Sequence, residues 1–595
     1  MPLPPICVLR LRARLKAAVA LAFVPLLVAC VAEAERPAPS LTAGPAVVAA
    51  GDGEVGSDAL LVAASPYGDY LAGLVAGNQN DLSAAADFML LVYETDPNNF
   101  DLLRRTFTLV SADGRHTEAV RLAKRIVEQD PELSTANIVL AVDAVVRGDD
   151  QAAAEILDSL PKKGLNTMIV PLLAGWVALD DRGVEEALEA IKPLEETTGL
   201  AALNHMHVAL LNDLSGRTAE AEAAYRSAIE AASQPSLRLT WLAGNFFERQ
   251  NKSEEARKLY DAYLAQNNGS ILFEAAFERL AANRTPGQAI DGHKSGLAEA
   301  LFNLASLLSQ ERAELMALIH VHLALRLDPD FEVANLLLGE ILQSQDRGED
   351  AIVVYRRIDP ASALAWSARL RIADELDRME RSDEAIAELD ALASERPKHF
   401  EPLFRMGNIL RAQERFPEAV VAYDRAFERL TDAEATNWTL YYFRGIALER
   451  ARDWPRAEAD FLKALELMPE QPYVMNYLAY SWVEQKQHLD KAEHMLVRAV
   501  ELRPTDGFIV DSLGWVYYRL GQFDKAVTQL EKAVELRPQD PVINDHLGDA
   551  YWRVGRHQEA RFQWRRALSL EPEADLVPTI EGKIKNGLQS EPENI

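Results

Sequence analysis

Cysteine is almost missing from this chain: Cys7 and Cys30 are the two thiols in 595 residues. A disulfide framework and a cysteine-based zinc site are both excluded. Positive charge is also scarce, with 62 Lys and Arg against 91 Asp and Glu and a formal net charge of −29. So acidic a chain repels phosphate backbones, which removes nucleic acid as a partner. The apolar run Ala17–Ala29 is thirteen residues long and interrupted by Pro25; a membrane-spanning helix needs about 20. No Walker loop, H-E-x-x-H or G-x-S-x-G string occurs. The string Gly51-Asp52-Gly53-Glu54-Val55-Gly56 matches G-x-G-x-x-G, but it carries two acids and lies in Ala/Pro/Gly-rich sequence, where no strand and helix frame a pyrophosphate. His205/His207 and His320/His322 are spaced i, i+2, so on a helix they diverge and cannot share a metal ion. No motif joins a nucleophile to a base and an orienting group. The chain reads as non-enzymatic, without cofactor or metal.

Hydrophobic content of 48% and charged content of 26% are ordinary for folded protein. At ~150 residues per domain the length implies about four compact units, or one repeat array.

The N-terminus is organised for export. Arg10, Arg12, Arg14 and Lys16 precede the short apolar run, the pattern of a signal peptide over residues 1–29. Leu27-Val28-Ala29-Cys30 resembles the lipobox of bacterial lipoproteins, which implies lipidation of Cys30 as the first mature residue. Val31 at the next position implies, by the same resemblance, the outer membrane facing the periplasm. Residues 30–65 read as a tether with a mean reach of about 30 to 35 Å.

From residue 66 the chain repeats. Alanine recurs at 85, 119, 153, 187, 221, 256, 317, 351, 385, 419, 457, 492, 526 and 560, and the commonest interval is 34. With that alanine as position 20, position 8 is small (Gly73, Gly175, Gly244, Gly339, Gly407, Gly445, Gly514, Gly548), and position 24 is large (Tyr225, Tyr260, Tyr355, Tyr423, Phe461, Trp564). Position 27 is often alanine (Ala228, Ala324, Ala426, Ala464, Ala499, Ala533, Ala567), and position 32 is often proline, from Pro97 to Pro572. Small residues let helices approach, large ones fill the gap, and proline stops the second helix on schedule. The stretches Leu513-Gly514-Trp515-Val516-Tyr517 through Pro538, and Leu547-Gly548-Asp549-Ala550-Tyr551 through Pro572, resemble the tetratricopeptide repeat. That resemblance implies an all-α fold: an α-solenoid, a right-handed superhelix of helix–turn–helix units. The boundaries expected are an N-terminal array of about six repeats over 66–267, a degenerate repeat or hinge over 268–297, a C-terminal array of about eight repeats over 298–572, and a capping helix and tail over 573–595. The 61-residue interval between Ala256 and Ala317 marks the break, with one helix expected over 270–283.

In this family the first helices line a concave groove at positions 2, 5, 9, 12 and 13. The resemblance places there Tyr473, Asn476, Tyr480 and Glu484, then Phe508, Asp511, Trp515, Tyr518 and Arg519, then Val542, Asp545, Asp549, Trp552 and Arg553. Aromatic rings beside arginine are the composition of binding hot spots. The four carboxylates suggest a groove that prefers a basic or apolar ligand. The carboxylate-clamp residues of some family members are missing here.

The whole layout resembles long bacterial tetratricopeptide lipoproteins, carried by Asn476-Tyr477-Leu478-Ala479-Tyr480-Ser481-Trp482 and Asp511-Ser512-Leu513-Gly514-Trp515. It implies protein partners and membrane attachment through the lipid anchor, with the chain an adaptor for a periplasmic carboxyl-terminal processing protease and its cell-wall hydrolase substrates. The alternative is a structural part of an outer-membrane assembly or polysaccharide export complex.

Overall fold

The computed structural model describes residues 65–588, except 198, 268–270 and 432–433. Cys30, the signal sequence and the tether expected before the repeats lie outside the described residues. Among the described residues there are thirty α-helices, two short 3-10 helices and no strand. No helix there is long and apolar enough to cross a membrane.

Successive helices pair as antiparallel hairpins, most helices being 12 to 14 residues long. All fourteen recurring alanines are buried, none more than 2% exposed. Position 24 does more than fill space between neighbouring units, as the sequence suggests: its side chain seats directly on the small residue at position 8 of its own unit. A Cβ added at Gly407 would stand 2.5 Å from the Tyr423 ring, and one at Gly548 2.5 Å from the Trp564 indole. The glycine is thus the socket for the ring. Tyr260, Tyr355, Tyr423, Phe461 and Trp564 are fully buried this way, each stabilising its unit by about 1.5–3 kcal/mol; Tyr225 is equally buried in a unit that has Ala209 at position 8.

The turn between the helices of a unit needs one left-handed residue. Position 15 supplies it in most units, as Asn80, Gly114, Gly148, Gly216, Asn251, Arg312, Asp346, Glu380, Glu414, Arg452, Gly521 and Gly555, with φ between 59° and 83°. The backbone reverses there, and the residue type varies freely.

At the break the chain does something the period does not encode. The helix Glu274–Ala281 is shorter than expected, and residues 284–291 run without regular structure to the helix His293–Gln310. That helix packs on Asn166–Asp181, and its partner Glu314–Leu327 packs on Phe100–Ala112 and Ser134–Arg147. Gly296 lies under the Trp176 indole. The Arg238 guanidinium donates to Glu299 Oε2 at 2.7 and 2.9 Å. Asn245 Nδ2 donates to the Gly287 carbonyl at 2.8 Å. Trp176, Arg238 and Asn245 occupy positions 9, 2 and 9 of their repeats, all groove positions. The groove of the first six hairpins therefore holds residues 287–327 of the same chain.

Candidate partner-binding groove

With the N-terminal groove filled from within, the first helices of the later hairpins carry the candidate site. Three of them, Pro472–Glu484, Gly507–Arg519 and Pro541–Arg553, hold every groove residue expected from the sequence.

Tyr473 is exposed at 39%, with the Arg503 guanidinium over its ring at 5.5 Å. Asn476 is half-buried, and its Oδ1 is buried without a hydrogen-bond partner among the described residues. Tyr480 is half-buried; burial, then Glu484 and Asp511, push its hydroxyl pKa well above the usual range. Glu484 Oε1 accepts from Trp515 Nε1 at 2.8 Å and from Arg519 Nη1 at 3.0 Å, tying two adjacent first helices together. Trp515 stacks on Tyr518 with centroids 4.8 Å apart, and on His546 at 4.1 Å. His546 Nδ1 lies 3.0 Å from Asp511 Oδ1. Burial opposes a proton on this imidazole, but Asp511, Asp545 and Asp549 outweigh it and raise the pKa. Phe508 lies beneath the Arg537 guanidinium at 4.2 Å, and Arg553 Nε donates to the Tyr518 hydroxyl at 3.2 Å.

The last hairpin is met by the terminal helix Val577–Asn586. Lys583 Nζ donates to Asp545 Oδ2 at 2.7 Å and to Asp549 Oδ2 at 2.8 Å, while Trp564 Nε1 donates to Asp549 Oδ1 at 2.8 Å. Burial pushes the Asp549 carboxyl up to about 6 against the pull of Lys583, with Asp545 adding to the rise. Trp552 packs on His557 and Trp564, with Arg561 over it at 4.9 Å and Gly587 against its ring. The acidity suggested for this groove is thus compensated from inside: Glu484, Asp545 and Asp549 each already face a cation, and Asp511 faces the His546 imidazole. What remains half-open is aromatic surface.

Another concavity lies in repeats that the sequence reading did not single out. A cavity of about 530 Å³ opens between Ala365–Arg378, Glu401–Ala412 and Trp438–Arg450. Asp374, Asp377, Phe404 and Asn408 line it from groove positions 9, 12, 5 and 9. Arg405 pairs with Asp374 and with Glu401, and His399 Nε2 lies 3.0 Å from Glu274. The signal was available, since these positions follow from the same register; they lack the dense aromatics that drew attention to the last three units.

Tetratricopeptide repeat models match residues 215–271, 370–435, 404–472 and 543–573, and a TPR repeat model matches 514–555. The chain is an α-solenoid of tetratricopeptide repeats. A TPR repeat-containing protein of Pseudomonas aeruginosa is 26% identical over 192 residues, 32% of this chain and 32% of its own length. The match therefore spans about a third of that relative. Among solved structures, the Cut9–Hcn1 hetero-tetramer of APC/C resembles 89% of this chain and 97% of its own, at 15% identity and a TM-score of 0.36. YrrB, described as a TPR protein with an unusual peptide-binding site, resembles 32% of this chain and 97% of its own, at 23% identity and a TM-score of 0.26. MamA from AMB-1 covers 28% of this chain and 96% of its own, at 24% identity and a TM-score of 0.25.

Proposed function

We propose that this tetratricopeptide solenoid is a non-catalytic scaffold that seats a segment of a partner protein along the first helices of its C-terminal hairpins. The observation that carries this is the cavity of about 530 Å³ lined from groove positions of consecutive repeats, within the size range of pockets that hold a ligand's side chains. The half-open aromatic row from Tyr473 to Tyr518 extends the same face. In this reading Cys30 carries the lipid anchor and the scaffold works at the outer membrane, facing the periplasm. Its finer role is that of an adaptor presenting cell-wall hydrolases to a carboxyl-terminal processing protease. That role is supported by the layout of signal, lipobox, tether and repeats.

The test is affinity capture from detergent-solubilised envelope with mass spectrometry, comparing the native chain with Asp374→Lys combined with Tyr473→Ala. Both side chains are exposed, so helicity by circular dichroism is retained while partner recovery is lost. Recovery at native levels removes the C-terminal groove from the reading. Independently, Cys30→Ser releases the chain into the soluble fraction; retention in membranes refutes the anchor.

A further inference from the structure

We propose that the cavity between the N-terminal hairpins and the helix Glu314–Leu327 is a binding site for a small oxyanion, such as phosphate or a compact carboxylate. This cavity, of about 240 Å³, lies where the chain folds back into its own groove. Its floor is apolar, with Val139, Ile319 and Leu323 among the lining residues. Its polar side is made of donors: Ser111, His116, His322 and Arg326.

Three observations select an anion over a cation or an apolar guest. First, two buried polar atoms of the lining lack a hydrogen-bond partner among the described residues. Ser111 is 6% exposed, and its Oγ, like His116 Nε2, is buried without a hydrogen-bond partner among the described residues. His322, half-buried, and Arg326, exposed at the edge, complete the polar lining. Buried donors left unmade are costly, and a ligand with several acceptor oxygens satisfies them together.

Second, Arg326 lines the cavity and further guanidinium groups stand close to it, although Arg347 is also paired with Asp350 at 2.8 Å. Burial first, then Arg347 and Arg357, hold the His322 imidazole down at about 4. Burial and Arg326 lower His116, and Asp143, whose Oδ1 is 3.6 Å from His116 Nε2, opposes them. Asp143 is itself shared with Arg147 at 3.1 Å. A metal cation would meet these guanidinium groups as like charges; an anion meets them as counter-ions. Third, Gly114 and His116 line the cavity at the N-terminus of the helix His116–Val127, where the helix dipole favours negative charge, although their own amides already donate to the Ser111 and Gly114 carbonyls. Because the walls come from hairpins about 200 residues apart in sequence, an anion here also braces the chain's fold-back.

The experiment uses the full-length protein in detergent at pH 6, titrated with inorganic phosphate and, separately, with acetate, against sodium chloride at matched ionic strength. Isothermal titration calorimetry and the thermal midpoint are read together. The expected result is saturable binding of one or both anions with a raised midpoint, weakened about tenfold in Arg326→Gln as one charge-assisted hydrogen bond is lost. Because Arg326 is exposed, that variant folds; His322→Gln should weaken binding likewise, and Asp143→Asn should tighten it. Saturation by phosphate alone assigns a phosphate site, and saturation by acetate assigns a carboxylate site. Absence of saturation with both, or equal stabilisation of the native chain and Arg326→Gln, is a general salt effect and overturns the proposal. Partner capture by the C-terminal groove is read in a different experiment, so either result stands without the other.

Discussion

Gly296 sits directly beneath the indole of Trp176, a residue 120 positions earlier in the chain. Trp176 is fully buried and donates through Nε1 to His207 Nδ1 at 3.0 Å. Any side chain at 296 would occupy the space of the ring, so the contact fixes how closely the helix His293–Gln310 can enter the N-terminal groove. Gly296→Ala should destabilise the fold-back by about 1–3 kcal/mol, the usual cost of overpacking. Limited proteolysis reads this as faster cleavage around residues 284–292, with helicity retained. Gly287→Ala, which meets nothing within 4 Å, is the control. Equal cleavage of the two variants would show that the Trp176 contact does not hold the break in place.

The turns offer a second measurement. Arg452 holds a φ of 67° at position 15, is exposed, and carries a Cβ in a region that favours glycine. Arg452→Gly should stabilise the hairpin by about 1 kcal/mol by relieving that clash. Gly555→Ala, at a φ of 83° in the equivalent turn, should cost about the same or more. Urea unfolding followed by circular dichroism checks both, and a destabilising Arg452→Gly would contradict the turn geometry.

These two cases mark where the fold was legible and where it was not. The pairing of Gly407 with Tyr423 and of Gly548 with Trp564 is visible as small and large residues at a fixed spacing, because steric fit restricts which residues can stand there. Position 15 was invisible: Asn, Gly, Arg, Asp and Glu all accept the turn at modest cost, so residue type carries no period. The fold-back of residues 287–327 was invisible for another reason. A repeat period reports contacts between neighbours, whereas Gly296 with Trp176 and Glu299 with Arg238 join units far apart along the chain. In the groove, Trp515 and Tyr518 stood out by type. The groups facing Asp511 and Asp549 are His546 and Lys583, about 35 residues further on, and no local spacing reveals such a pairing.

Acid should loosen the fold-back. Burial holds the His207 imidazole down at about 4, against the pull of Glu299, while an unfolded histidine titrates near ~6.5. Between those values the unfolded chain binds a proton that the folded one refuses, so stability falls as pH drops from about 6.5 to about 4 and no further. His322 adds a loss of the same sign over the same window. His207→Gln keeps an acceptor for the indole and removes the titration. Its stability should decline less steeply between pH 6.5 and 4.5, by up to about 1.4 kcal/mol per pH unit. Parallel pH profiles for the native chain and the variant would mean that His207 is reached by solvent.

The terminal helix is fastened electrostatically at the end of the groove. Lys583 is 13% exposed and serves two carboxylates at once, Asp545 and Asp549, of which Asp549 is more deeply buried and also accepts from Trp564. Burial works against the ammonium, yet the two carboxylates raise its pKa overall. Removing it alone leaves two like charges in a poorly solvated site with no counter-ion. Lys583→Met should therefore cost about 3–5 kcal/mol in the last hairpin, the penalty of a broken buried pair rather than the net worth of the pair itself. Adding Asp549→Asn removes one of the stranded charges and keeps an acceptor for the Trp564 indole, so the double variant should recover a good part of that loss. Hydrogen exchange of amides in 541–586 resolves the effect locally, where a global melt of a repeat array would blur it. If the double variant exchanges as fast as Lys583→Met, the helix is held by the apolar contacts of Ile580 and the Trp552 ring, and the ion pairs only decorate them.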